Sequence, residues 1–530
     1  MPRERGAFHL SGSDRESTAV LAFLSDPTTH GDPAGHVEII ETHAALVVLV
    51  GSKAFKIKKR IKLPFLDFTT FEQRRTALHR ELELNRDHAP DIYLGLSTIG
   101  RRPDGTLAFD DGDPVDVALV MNRFEQNELL ARIAEKGPLP HEICKDLAEM
   151  AVRYHREAPV ATGVKGAAVM RDTVAALASS LVDAAPASTM SLAEEFARRS
   201  REHVERLAPM LDARAVAGLV RRCHADLHLG NIVVRADRVV PFDALEFDER
   251  LATIDVWYDL AFLLMDLDVR GDRNAACIVL NAYVAAEPVG GEIDGLAALP
   301  LFLATRAAVR ALVASENALQ KPDAENAEHR ARAVSYLTAA NAYMTPPKAA
   351  LVAVGGLSGT GKSTLAAHLA PSIGPAPGAL VLRTDVERKR MFNVEETERL
   401  APEYYTEQAS DQVYAALYDK AERALAAGHG VIFDGVSAKL EEREKIAAIA
   451  LRNGALFSGL WLEAPLATQI ARVEARRGDA SDSDANVVHA QAIRDLGAMT
   501  WAPIDAGYTP EHTLEQTKAS LAGAGITGRV

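Results

Sequence analysis

The residues best suited to chemistry gather in two places, and both suit a polyphosphate. After the apolar run ALVAVG comes Gly356-Leu357-Ser358-Gly359-Thr360-Gly361-Lys362-Ser363, then Thr364 and the helical text LAAHLA. That order satisfies G-x-x-x-x-G-K-[ST] between a strand and a helix, the two flanks a phosphate loop requires. Its glycines let backbone amides curl round an anion, the helix start adds unpaired N–H groups, and Lys362 neutralises the outer phosphates of ATP, with Ser363 as a ligand for Mg2+. Asp385 closes the strand LVLRT and so falls at the carboxyl edge of the sheet, where α/β folds bind ligands. There it can take a proton from an acceptor hydroxyl, or do no more than cap the following helix. Asp434 ends the strand VIF as a second metal position. Arg472 and Arg476 stand four apart, hence on one helical face, with Arg477 beside them and a flexible GDASDSD after them. This looks like a lid, whose arginines either stabilise a phosphoryl group in transfer or form a solvated basic face.

The second place is His224-Ala225-Asp226-Leu227-His228-Leu229-Gly230-Asn231, with Asp243 in VVPFDALEF twelve residues on. In H-x-D-x-x-x-x-N followed by an aspartate, the first acid can orient or deprotonate a hydroxyl while Asn231 and Asp243 hold the metal ions that bridge ATP phosphates. Upstream, Lys53-Ala54-Phe55-Lys56 reads like the V-A-I-K strand of kinases, and alternation puts Ala54 and the phosphate-facing Lys56 on one side. Lys58 shares that side and is the rival. The lysines of KAFKIKKRIK could also decorate an exposed edge. A helical acid should pair with the chosen lysine: Glu81 in LHRELELN, rather than Glu83, which points to another face. Acids further on, among them Glu246, Asp248, Glu249, Asp255, Asp266 and Asp268, either bind a polycation or stay solvated and cap helices.

Residues 36–59 read as three short strands, VEIIE, LVVLV and AFKIK, followed by a helix from about Thr70 to His88 and strand-rich text through Met121. From Pro138 to Leu211 the pattern is helical. NIVV and VVPF make a strand pair, and helices resume from Asp255 to Met344. Prolines in Thr345–Lys348 break the last helix. Beyond them, strands near 350–355, 379–384, 430–434 and 457–463 alternate with helices, as in a parallel sheet. Ala286–Glu292 reads as a surface loop. The expected division is an N-terminal extension over 1–35, an N-lobe over 36–124, a helical C-lobe over 125–344, a linker over 345–348 and a phosphate-loop domain over 349–530.

Composition supports a multidomain globular chain: 530 residues exceed one core, and 48% hydrophobic with 25% charged residues is the globular average. A net charge of −14 disfavours a nucleic-acid coat or a polybasic membrane anchor. Three dispersed cysteines suit a reducing compartment. With no signal-like start, and with apolar runs such as Leu296 to Thr305 short of a bilayer's thickness, the expected location is the cytoplasm, with no membrane partner.

Residues 36–344 resemble the aminoglycoside phosphotransferase and choline kinase superfamily on His224 to Asn231, Asp243 and Tyr258-Asp259-Leu260-Ala261. The resemblance implies Asp226 as catalytic base, Asn231 and Asp243 as metal ligands, Met121 to Phe124, with Arg123, as the hinge beside adenine, and Asp259 as a buttress. Ala225 stands where the family carries glycine, and a normal backbone conformation is expected to accept it. Within residues 36–344 the turn ETHAAL carries no glycine and neither DFG nor APE occurs, which disfavours a protein kinase. Residues 350–515 resemble small P-loop kinases grouped with gluconate kinase, zeta toxins and polynucleotide 5′-hydroxyl kinases, in which an aspartate placed like Asp385 faces the acceptor. The strand ending in Asp434-Gly435 lacks the Asp-Glu of mechanical ATPases, and no Asn-Lys-x-Asp guanine motif occurs. Together the halves resemble a bacterial tandem family. The implied fold class is α/β and α+β multidomain, a bilobal protein-kinase-like fold followed by a P-loop parallel-sheet kinase domain. Two ATP- and Mg2+-dependent sites acting on small hydroxyl compounds are expected. The rivals are a nucleotide sensor with one degenerate domain and a nucleic-acid 5′-hydroxyl kinase, the latter opposed by the acidic balance.

Overall fold

The computed structural model describes residues 15–31, 35–42, 44–63, 66–185, 189–236, 238–286, 292–320, 323–476 and 478–526. The first fourteen residues of the expected extension, most of the loop 286–292, and Arg477 lie outside the described residues. The described residues up to Gly137 join Arg221–Ile254 in one compact unit, and Pro138–Val220 join those from Asp255 onward in the other. Within the second unit, a helix expected in the C-lobe packs directly on the phosphate-loop sheet.

In the first unit, helix α1 (Arg15–Ser25) precedes β1 (Val37–Glu41), β2 (Ala45–Val50) and β3 (Lys53–Lys58); α2 (Phe71–Arg86), β4 (Tyr93–Arg101), β5 (Leu107–Phe109) and β6 (Asp113–Asn122) follow. The sheet runs β1-β2-β3-β6-β4-β5. Alternation along β3 splits its side chains between two cores. Phe55 and Ile57 pack with Val48 and with Val20 and Leu24 of α1, so the expected extension over 1–35 contributes to the core. Ala54 packs with Leu78 of α2 and Met121 of β6. Helix α2 starts in a capping box, Thr70 with Gln73, and buries Arg74, Leu78, Glu81 and Asn85 at intervals of four, three and four residues. Arg74 Nε donates to Asp116 Oδ1 at 2.8 Å, tying α2 to β6. The expected strand pair is present as β7 (Ile232–Arg235) and β8 (Arg238–Pro241).

The second unit contains α3 (His141–Glu157), α4 (Gly166–Ala184), α5 (Met190–Val216), α6 (Val256–Val269), α7 (Arg273–Ala285), α8 (Leu299–Gln320) and α9 (Asp323–Tyr343). Ile293–Ala318 is long and apolar enough by length and composition to cross a bilayer, with mean hydropathy 1.6, which corrects the expectation that apolar runs fall short. Its most apolar stretch is mostly buried in the protein, as in a core helix. Strands β9 (Ala350–Gly356), β10 (Leu380–Arg383), β11 (Val431–Asp434), β12 (Leu456–Glu463) and β13 (Ala502–Asp505) form a sheet ordered β10-β11-β9-β12-β13. Every pairing in it is parallel. The fifth strand was not legible because APID is short and carries a proline, which is tolerated at this sheet edge. Helices α10 (Lys362–Leu369), α11 (Thr384–Met391), α12 (Glu407–Ala426), α13 (Leu440–Arg452), α14 (Leu466–Ala475), α15 (Ala485–Ala492) and α16 (Pro510–Gly523) complete the unit.

Candidate active sites

In the first unit the pleat of β3 aims Lys56 and Lys58 at α2, whose inner face presents Glu81. Lys56 Nζ donates to Glu81 Oε1 and to Asp243 Oδ1, each at 2.6 Å. Lys58 is not displaced to an outer edge: its Nζ donates to Glu81 Oε2 at 2.8 Å and to Glu246 Oε1 at 2.5 Å. Glu81 is fully buried between the two ammonium groups, while Glu83 is exposed. Desolvation opposes the charge on Lys56, but Asp243 and then Glu81 hold its pKa well above the ordinary lysine value. Burial likewise pushes the Asp243 carboxyl up, and Lys56 overrides it, holding the group at about 2.

The loop from His224 to Asn231 is tied to the same place. His224 Nε2 lies 3.1 Å from the Phe242 carbonyl, and its Nδ1 accepts from the Asp226 amide at 3.3 Å, partners that define the tautomer. Asn231 Nδ2 donates to Asp226 Oδ2 at 2.7 Å. The Asp243 amide donates to the Tyr93 hydroxyl at 3.0 Å, and the Ala244 amide to Asn85 Oδ1 at 2.9 Å. Two bends at this site are left-handed at non-glycine residues, Ala225 in the loop at φ +70° and Asp243 after β8 at φ +61°. The expectation of an ordinary conformation at Ala225 is therefore corrected: the methyl sits in a region that costs an L-residue about 1–2 kcal/mol. Met121 is buried opposite Ala54 in the β3–β6 ladder. The Arg123 amide donates to Ser52 O at 2.8 Å and its guanidinium reaches Glu38 at 3.3 Å.

In the second unit the phosphate loop leaves β9 with glycines at φ +141° (Gly356), +81° (Gly359) and +92° (Gly361). A Cβ on Gly359 would stand 2.4 Å from the Gln469 carbonyl oxygen, so both conformation and space demand glycine there. Lys362, the first residue of α10, curls back to donate to Leu357 O at 2.9 Å. A cleft of about 1720 Å3 opens over Ser358, Gly359, Thr360, Gly361, Ser363 and Thr364 and is lined further by Asp385 and Asp434. Burial pushes the Lys362 pKa down, against the opposing pull of Asp434 and Asp385. Asp385 lies in the first turn of α11, and burial followed by repulsion from Asp434 raises its carboxyl above the ordinary range. Arg383, which the sequence reading had not singled out, reaches Asp434 at 3.3 Å and Asp479 at 2.8 Å.

The arginine pair departs from expectation. Helix α14 ends at Ala475, and Arg476 is its extended C-cap at ψ 137°, so Arg472 and Arg476 do not continue one helical face. Arg472 donates to the carbonyls of Ala506 at 2.8 Å and Tyr508 at 2.9 Å, beside the phosphate loop. Arg476 pairs with Asp479 at 3.4 Å. The following segment is pinned rather than loose: Asp482 receives Tyr405 Oη at 2.5 Å, the Leu400 amide at 2.9 Å and Lys389 Nζ at 3.1 Å. Ser483 Oγ meets Ser358 Oγ at 3.0 Å, and Gln491 Oε1 accepts from the Ser358 amide at 2.8 Å. Arg388 was also missed; it stands over the Tyr405 ring at 5.0 Å and lines the cleft. Its place three residues after Asp385 on one helix was the available signal.

The family described as phosphotransferase enzyme family matches residues 105–296, and one described as AAA domain matches residues 351–496. Uncharacterized protein Rv2004c of Mycobacterium tuberculosis is 30% identical over 510 residues, covering 93% of this chain and 98% of that protein. Among solved structures, an ethanolamine kinase of Plasmodium vivax is similar at 11% identity and TM-score 0.39, over 63% of this chain and 95% of its own. A gluconokinase of Sinorhizobium meliloti is similar at 19% identity and TM-score 0.25, over 33% of this chain and 92% of its own. The chain thus belongs, with its mycobacterial relative, to the tandem family that joins an aminoglycoside-phosphotransferase-type kinase domain to a P-loop kinase-like domain.

Proposed function

We propose that the protein is a tandem ATP-dependent phosphotransferase, each unit moving the γ-phosphoryl group of ATP to a hydroxyl of a small metabolite such as a sugar, an amino alcohol or an aminoglycoside-like compound. One observation carries this reading: each unit sets a lysine among aspartates, the buried Lys56 with Asp243 in the first and the half-buried Lys362 near Asp434 and Asp385 in the second. The join at 345–348 then separates two catalytic modules, 36–344 and 349–530.

The donor sets suit Mg2+, a hard cation that takes oxygen ligands: Asn231 and Asp243 in the first site, Ser363 and Asp434 in the second. Held there together with ATP, the ion would offset the charge that develops on the phosphates in transfer. Lys56, oriented by Glu81, binds phosphate oxygens; Lys362 and the loop amides do so in the second site. Asp226, held by Asn231, orients the acceptor hydroxyl and takes its proton as the new O–P bond forms and the bond from the γ-phosphorus to the bridging oxygen breaks, leaving the electron pair on ADP. Asp385 does the same in the second site. Met121, on β6, and Arg123, just past its end, flank the adenine in the first site. Arg476, close enough to Lys362 to depress its pKa, stabilises charge on the phosphoryl group in the second, and Arg472 holds the loop beside it.

The test is ADP release from Mg·ATP across a panel of hydroxyl compounds for wild type, Asp226→Ala and Lys362→Ala. Each substitution is expected to abolish a different part of the turnover by at least about 100-fold. Unchanged turnover in both variants refutes the tandem reading.

A further inference from the structure

Helix α7 belongs by sequence to the first kinase-like segment, yet it borders the phosphate-loop sheet. Asn281 of α7 faces the free edge of β10: its Nδ2 donates to Ala379 O at 3.0 Å, and its Oδ1 accepts from Val381 N at 2.7 Å. Donation to one carbonyl and acceptance from the amide two residues on is the pattern one residue of a neighbouring parallel strand would make. The side-chain amide therefore stands in for a residue of a sixth strand. On its other edge β10 pairs with β11 from Leu380↔Val431 to Arg383↔Asp434.

The contact is built from several residues. One turn before Asn281, Cys277 is buried in the same core as Val352, Val354 and Ile432. Gly378 permits the approach, since a Cβ there would stand 2.9 Å from Cys277 Sγ. Arg273 Nε donates to Pro377 O at 3.3 Å. Val381 lies four residues before Asp385, so whatever holds this edge of β10 also sets where Arg383 and Asp385 stand over the phosphate loop. This strand of four residues has one hydrogen-bonded strand neighbour, so its other edge needs partners from outside the sheet.

We infer that Asn281 is a positioning residue for the phosphate-loop site: it completes the edge of β10 from outside the P-loop segment and thereby places Asp385. The inference rests on the proposed kinase reading of that site. Buried backbone groups require partners, and Asn281 supplies two on the strand that leads to the proposed base.

The experiment uses the full chain with the first site silenced by Asp226→Asn, water as the acceptor and Mg·ATP as the probe. Asn281→Leu, which keeps the volume and removes both hydrogen bonds, is compared with Asn281→Ser, which keeps one polar partner. A displaced reacting group costs roughly 10- to 100-fold in rate. The expectation is a fall of that size in kcat for ADP release in Asn281→Leu, an unchanged KM for ATP and an intermediate kcat in Asn281→Ser. Amide exchange at Val381 should quicken in the same order. Unchanged kcat in both variants with faster Val381 exchange overturns the inference, as does an unchanged Val381 amide. If Asn281→Leu fails to fold, the serine variant decides by the same readouts. If Lys362→Ala leaves ADP release intact in the silenced background, the kinase reading of the site fails instead, and Val381 exchange still decides whether Asn281 holds β10.

Discussion

Replacing Glu81 by glutamine tests the charge architecture of the first site. The carboxylate is fully buried and shared by two ammonium groups, Lys56 at 2.6 Å and Lys58 at 2.8 Å. Glutamine keeps the shape but can accept from only one of them through its single oxygen, so one charge-assisted hydrogen bond is lost and the other weakened. A hydrogen bond to a charged group is worth about 1.5–3 kcal/mol net. Breaking a buried ion pair outright costs about 3–5 kcal/mol, but each lysine here keeps a second carboxylate, Asp243 or Glu246. The lower figure applies, and Glu81→Gln is expected to destabilise the first unit by about 2 kcal/mol. At about 2–4 °C per kcal/mol for a unit of this size, its unfolding midpoint should fall by about 4–8 °C. The three tryptophans, Trp257, Trp461 and Trp501, all lie in the other unit. Peptide-resolved hydrogen exchange through a urea series is therefore the appropriate assay. In a Lys56→Met background the same substitution should cost less, by a coupling of about 1 kcal/mol. A cost under about 0.5 kcal/mol, or strict additivity with Lys56→Met, refutes the shared-carboxylate argument.

Gly359→Ala places a methyl against the Gln469 carbonyl at 2.4 Å and forces φ +81° on an L-residue; Mg·ATP affinity at the second site should fall by at least about tenfold by calorimetry, and wild-type affinity would contradict the cradle geometry. The Asp385 carboxyl, raised by burial and by Asp434, should titrate above the ordinary aspartate range when followed by 13C NMR in nucleotide-free protein. Neutralising the repelling carboxylate in Asp434→Asn favours the ionised form of Asp385 and should move that titration to lower pH; an upward shift would reverse the proposed sign.

Motif spacing and periodicity made much of the fold and both constellations legible. The glycines and Lys362 fall within residues 356–362, and the α2 periodicity puts Glu81 and Glu83 on different faces. Local chemistry suffices in such cases, because a loop between a strand and a helix, or one helical face, is specified within a few residues. Lys58 is different: its bonds to Glu81 and to Glu246 depend on chain segments far apart in sequence. Arg476 stands off its helix because α14 ends one residue earlier, in an extended C-cap. The left-handed Ala225 reflects a bend that His224 and Asn231 jointly impose. Asn281 carried no motif at all. An asparagine within a helix gains meaning only when packing brings a bare strand edge to it, and that meeting of distant segments belongs to the tertiary structure.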